Sequence, residues 1–244
     1  MGNKLGWRDE LERIPNFSQQ FELNPKTTAL IVVDMQNADA NPDVGLGTML
    51  RENYPEIHSY LYDKLAKVVV PNNIKLIEFF RKNGVRVIFI ATATELPDNE
   101  DYLPLRRQRA KDARFVPRVG TFEHQVLDEL RPQEDELLIN KRSTSAFNST
   151  AIDQILRNLG IDGLVITGAG TYACVGLTAR DAADKGYKCV LVDDACATLN
   201  QEMHDAFLLV FANVHGKVQT TDEVTAYLEK QLASNAVCSP PTEP

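Results

Sequence analysis

Gly163-Leu164-Val165-Ile166-Thr167-Gly168-Ala169-Gly170-Thr171-Tyr172-Ala173-Cys174-Val175-Gly176-Leu177-Thr178-Ala179-Arg180-Asp181 decides the fold. An apolar run of strand length meets a turn of small residues, and a segment of helical composition follows to Lys185. Cys174 stands where that helix begins. There the positive end of the helix dipole and unpaired N–H groups favour a thiolate and can hold an oxyanion. Cys174 is therefore a candidate nucleophile. The competing account is a small apolar side chain packed between strand and helix, as for most free cysteines.

The same alternation repeats on either side. Apolar runs at 28–33, 85–91, 136–140, 187–194 and 217–220 read as further strands, the first ending at Asp34 and the third at Lys141. Helices are expected over 63–83, with Pro71 as a kink or the true start, and over 121–130, 150–159 and 201–212. A capping box, Thr220 to Glu223, opens another to about Leu232. Residues 35–60 and 92–120 read as long loops of the lid or substrate type. This predicts an α/β chain: a three-layer α/β/α, Rossmann-like domain with a six-stranded, mostly parallel sheet. It would span 28–233, after an N-terminal arm, 1–27, that packs on its own domain or a neighbouring subunit. The Pro-rich tail, 234–244, is expected to be disordered.

Composition narrows the partners. A 43% hydrophobic fraction supports a sizeable core, and a net charge of −8 with no basic run argues against nucleic acid and anionic membranes. A small-molecule substrate fits better. Four cysteines, at 174, 189, 196 and 238, show no metal-type spacing, and neither a signal peptide nor an apolar stretch of membrane length is present. Reduced thiols in a cytoplasmic protein are expected, with Cys189 and Cys196 packing and Cys238 a bystander.

Asp34, Lys141 and Cys174 all follow strands, and ligands of open parallel sheets bind beyond the carboxyl ends of strands. Taken singly, the Asp is a turn former and the Lys a solvated loop residue. Taken together they suit acyl transfer from nitrogen. Cys174 attacks an amide or ureido carbonyl, the Ala173 and Cys174 N–H groups hold the oxyanion, and Asp34 moves the thiol proton to the departing amine. Lys141 lowers the thiol pKa and orients the carboxylate. Gln36, Asn37, Phe147, Thr171 and Tyr172 are the candidate substrate-binding residues; for Gln36, Asn37 and Phe147, loop structure and packing are an equal alternative. The arginines at 106, 107, 109, 114 and 118 are solvated or read a substrate carboxylate.

Three stretches carry a family resemblance: Ala29 to Asn37 with Asp34-Met35-Gln36-Asn37, Asn140 to Phe147, and Gly168 to Asp181, followed by Asp193-Asp194-Ala195-Cys196-Ala197-Thr198. Here the chain resembles the isochorismatase-like cysteine hydrolases, whose Asp, Lys and Cys fall on Asp34, Lys141 and Cys174. The resemblance implies homotetramers or dimers and a cis peptide at Gly170–Thr171. Nicotinamidase-type members hold a metal through an acidic residue and histidines near the second strand. Residues 91–101 contain no His and the four histidines are scattered, so no metal and no cofactor is expected.

Retention of Cys174 points away from isochorismate-type vinyl ether hydrolysis and toward C–N cleavage. The look is that of the N-carbamoylsarcosine amidase, biuret hydrolase and ureidoacrylate amidohydrolase group, which act on small linear ureido or carbamoyl compounds, triuret included. Tyr172 departs from the Asn common at that position and puts a ring at the pocket edge. An ether hydrolase and a non-catalytic binding protein remain as alternatives.

Overall fold

Along Thr28–Val33 (β1) every side chain is buried, and successive residues serve opposite faces of the sheet. Leu30 and Val32 join Val87, Phe89, Val165 and Val190 in one apolar cluster, while Ala29, Ile31 and Val33 join Ile88, Ile90, Leu164 and Ile166 in the other. A strand buried on both faces needs helices above and below. The computed structural model, which describes residues 6–15, 17, 20–107 and 116–237, supplies them.

Arg86–Thr92 (β2), Leu137–Lys141 (β3), Gly163–Ala169 (β4), Lys188–Ala197 (β5) and Lys217–Gln219 (β6) complete a sheet of order β3-β2-β1-β4-β5-β6. Every pairing is parallel. The chain winds outward from β1 in one direction and from β4 in the other, so the switch point lies between those two strands.

In chain order the helices are Trp7–Leu11 (α1), Asn37–Ala40 (α2), Leu46–Asn53 (α3), Pro55–Lys64 (α4), Val70–Lys82 (α5), Pro104–Arg107 (α6), Ile152–Asn158 (α7), Gly176–Asp184 (α8), Gln201–Val214 (α9) and Thr221–Val237 (α10). One face carries α3, α4, α5 and α10 through Leu50, Leu61, Leu76, Phe80, Val224 and Leu228. The other carries α1, α7, α8 and α9 through Trp7, Leu156, Ala179, Leu208 and Phe211.

The structure corrects several sequence expectations. The segment 35–60 is not an open loop: its Asn, Pro and Gly residues separate short helices, with Gly45 at φ 51° before α3 and Pro55 opening α4. A π-helical turn, Leu65–Val69, joins α4 to α5, and Pro71 sits in the first turn of α5, where its missing N–H is harmless. No helix spans 121–130, where only Asp128–Leu130 forms a 3₁₀ turn. The Thr121 hydroxyl has no partner among the described residues, and residues 123–127 bond instead to 35–38, through Ala38 N to Glu123 O (2.8 Å), Asn37 N to Gln125 O (2.8 Å) and Leu127 N to Met35 O (2.9 Å). β5 reaches Ala197 because a register shift between Ile166 and Gly168 lets pairing resume at Cys196. At the chain's end α10 continues through Val237; Cys238 and the rest of the expected tail lie outside the described residues.

Candidate active site

At the switch point β1 runs into Asp34, whose φ of +51° turns the chain toward α2 while its N–H stays bonded to Ile90 O at 2.8 Å. Left-handed backbone costs an L-residue about 1–2 kcal/mol, a strain that concentrates at functional sites. Beside it Gly168, the next-to-last residue of β4, has φ 127°, and a Cβ there would stand 1.9 Å from the Val33 carbonyl oxygen; only hydrogen fits. Gly170 then takes a left-handed conformation (φ 80°, ψ 63°), and Thr171–Val175 form one wide π turn into α8.

Every peptide bond of the described residues is trans, which corrects the implied cis bond at Gly170–Thr171: Gly170 makes the reversal through its positive φ. The Ala173 N–H donates to Gly170 O at 2.8 Å, so of the predicted oxyanion pair it is already committed to the turn.

Lys141, the last residue of β3, lies opposite Thr92 at the end of β2. Its side chain is 0% exposed, and its Nζ stands 2.8 Å from Asp34 Oδ2, 2.5 Å from Thr92 Oγ1 and 3.3 Å from Cys174 Sγ. Thr92 Oγ1 also lies 3.2 Å from both Asp34 oxygens, and donates to that carboxylate. The three predicted strand-end residues thus converge, and a fourth joins them. Thr92 was missed, although the strand-end rule that found Asp34 and Lys141 applies to it equally.

Burial opposes the Lys141 charge, but the Asp34 carboxylate and the Cys174 sulfur outweigh it and raise the pKa. Burial, and then the Asp34 carboxylate, push the Cys174 thiol up to about 12, with Lys141 offsetting only part. This corrects the expectation of a resting thiolate: Lys141 already neutralises Asp34, so a second anion would have no counter-ion. Asp39 on α2, half-buried, is a further carboxyl near the site; burial, and then Asp34, raise it to about 8, with Lys141 pulling the other way. Its spacing from Asp34 gave no signal in the sequence.

The expected substrate residues are mostly engaged elsewhere. The Gln36 amide clasps the Thr92 backbone, donating to its O at 3.0 Å and accepting from its N at 2.7 Å. Asn37 donates to Phe122 O at 3.0 Å and lines a cavity of about 400 Å³ with Asn41, Tyr62 and Glu129. Phe147 packs in the core against Tyr187, ring centroids 5.8 Å apart, and Thr171 is buried with its hydroxyl on His204 Nδ1 at 2.9 Å. For Gln36 and Phe147 the structural alternative holds, and Thr171 likewise has a protein partner. Tyr172 is half-buried on the turn.

Of the loop arginines, Arg109, Arg114 and the Arg106 side chain lie outside the described residues. The arginine bonded close to the triad is Arg142, next to Lys141. It pairs with Glu95 and, at 2.7 Å, with Asp101, fastening the segment after β2 to the end of β3. Among the described residues no group of three or more His, Cys, Asp or Glu side chains is arranged to hold a metal ion. No described helix is long and apolar enough to cross a membrane.

Comparison with known proteins agrees with this fold. Ureidoacrylate amidohydrolase RutB of Acinetobacter baylyi is 30% identical over 234 residues, 89% of this chain and 91% of that protein. A cysteine hydrolase structure from Pseudomonas syringae pv. phaseolicola superposes with a TM-score of 0.75 at 25% identity, covering 89% of this chain and 99% of that one. N-carbamoylsarcosine amidase from Thermoplasma acidophilum gives 0.58 at 29% identity, covering 80% and 97%. Residues 28–223 match the isochorismatase domain, and the chain belongs to the isochorismatase family.

Proposed function

We propose that this chain is a cysteine amidohydrolase that cleaves a C–N bond of a small linear ureido or carbamoyl compound through a thioester, needing no metal. The observation that carries the reading is the single buried ammonium of Lys141, shared between the Asp34 carboxylate and Cys174 Sγ. The similarity to ureidoacrylate amidohydrolase and N-carbamoylsarcosine amidase supports the substrate class.

Cys174 starts as a thiol. As Sγ attacks the carbonyl carbon, Asp34 takes the thiol proton and the Cys174 N–H holds the oxyanion. Asp34 then gives that proton to the leaving nitrogen, the C–N bond breaks, and ammonia departs from a thioester. Water, its proton taken by Asp34, adds to the thioester; the acid product leaves and the proton returns to sulfur. Lys141, paired with Asp34, holds that carboxylate in place between these transfers and steadies charge as it develops on sulfur.

The site's test is ammonia release from biuret, triuret, ureidoacrylate-type compounds, N-carbamoyl amino acids and nicotinamide, with and without chelator. Chelator-insensitive turnover of a ureido compound that disappears in Cys174→Ala is expected. A silent panel, or activity retained by Cys174→Ala, overturns the reading in favour of an ether hydrolase or a binding protein. We also propose a homodimer or homotetramer in the cytoplasm; the apolar exposure of Met203, Val210 and Val214 along α9 supports the assembly. Light scattering after gel filtration tests it, and a monomer refutes it.

A further inference from the structure

Trp7 precedes the family-matched residues, yet its indole is buried against the domain. Its Nε1–H donates to Asp193 Oδ2 at 3.1 Å, and Asp193 Oδ1 lies 2.9 Å from His204 Nε2. The other nitrogen of that ring, Nδ1, lies 2.9 Å from Thr171 Oγ1. Thr171 opens the π turn that carries Cys174, and both His204 and Thr171 have 0% exposure. A continuous line of hydrogen bonds therefore runs from α1, across the middle of β5 and α9, to the back of the nucleophile turn.

The partners fix the polarity of this line. Burial disfavours charge on Asp193, but the bonds from His204 and Trp7, with Lys64 nearby, hold its carboxyl below the usual range. An anionic Asp193 makes His204 Nε2 the donor, so in the neutral ring Nδ1 accepts from the Thr171 hydroxyl. Each polar atom along the line then has a partner of the right sense. A satisfied buried network of this kind fixes one geometry where apolar packing would admit several.

We propose that Trp7, Asp193, His204 and Thr171 form a strut that sets the position of Cys174 Sγ, so that α1 and His204 position the nucleophile. The strut touches neither Lys141 nor Asp34, and it acts through the turn alone. The proposal rests on Cys174 being the nucleophile, so it is tested by two readouts, one of which needs no substrate.

The variants are His204→Leu, which cuts the strut; His204→Gln, which offers an acceptor and a donor again; and Trp7→Phe, which keeps the ring and removes the N–H. In His204→Leu, kcat is expected to fall about a hundredfold with KM within twofold, as for a reacting atom displaced by about 1 Å. His204→Gln recovers part of that loss, and Trp7→Phe loses about threefold. Amide exchange across 168–176, read by mass spectrometry, accelerates about tenfold in His204→Leu while the peptides of β1 and β2 are unchanged. If His204→Leu does not fold, the other two variants decide. Unchanged exchange at 168–176, or a rise in KM with kcat preserved, overturns the strut. Absence of wild-type turnover with accelerated exchange overturns the amidohydrolase reading and leaves the strut standing.

Discussion

Replacing Lys141 by Met removes the cation paired with Asp34 and leaves the carboxylate in a site where its side chain is only 3% exposed. At 2.8 Å the pair attracts by about 6 kcal/mol at an effective dielectric constant of about 20. Desolvation of the two ions offsets most of this, so the pair adds little net stability, whereas removing one partner costs about 3–5 kcal/mol. Adding Asp34→Asn removes the unpaired charge, and the double variant is expected to regain about 2 kcal/mol or more. Urea unfolding followed by circular dichroism at pH 8 measures all four corners of the cycle. A Lys141→Met loss below about 1 kcal/mol at pH 8, or a double variant no more stable than Lys141→Met, refutes the reasoning.

Thr92→Val keeps shape but removes the hydroxyl between Lys141 and Asp34; losing a hydrogen bond to a charged group, about 1.5–3 kcal/mol, is expected to lower kcat about 10–100-fold. Steady-state kinetics checks this, and a change under twofold defeats it. The Cys174 thiol, pushed up to about 12, should be alkylated by iodoacetamide at a rate still climbing at pH 10, whereas a plateau below pH 8 contradicts a resting thiol. Asp39, raised to about 8, holds a proton in the folded state that the unfolded chain loses near pH 4, so it erodes stability as pH rises between those values. Asp39→Asn should recover on the order of 2 kcal/mol at pH 9 and nothing at pH 4, seen as converging melting curves; equal effects at both pH values argue against it. Gly168→Ala, whose methyl would meet Val33 O at 1.9 Å, should lose about 3 kcal/mol or more or fail to fold, and a near-native melting temperature excludes the described β1–β4 approach.

The sheet was legible because parallel strands buried on both faces leave continuous apolar runs, and the run 28–33 matches β1 residue for residue. Where local pattern competed with long-range pairing, the pattern lost. Residues 123–127 carry helix-like composition but bond across to 35–38, a contact some 90 residues away in sequence. The triad was legible through a topological rule, since ends of parallel strands converge whatever their sequence separation. Rotamers were not: Gln36 follows Asp34 closely, yet its amide turns to the Thr92 backbone rather than to an open pocket. Nor was the thiol's state. A helix N-terminus suggested a thiolate, and only the three-dimensional pairing showed that Lys141 was already spoken for.

That pairing changes the division of labour within the site. With Asp34 ionised, Lys141 protonated and Cys174 a thiol, the buried triad is electrically neutral. Ionising the thiol at rest would give it a net negative charge beside the carboxyl of Asp39, which burial and Asp34 already hold up near 8. Coupling proton removal to attack avoids that state, because the negative charge passes from Asp34 to sulfur and on to the substrate oxygen without a second anion forming. In this arrangement the main electrostatic task of Lys141 is to balance the Asp34 carboxylate. The Thr92 hydroxyl, which accepts from the ammonium and donates to the carboxylate, holds the pair in register so that the same proton can move out to nitrogen and return from water.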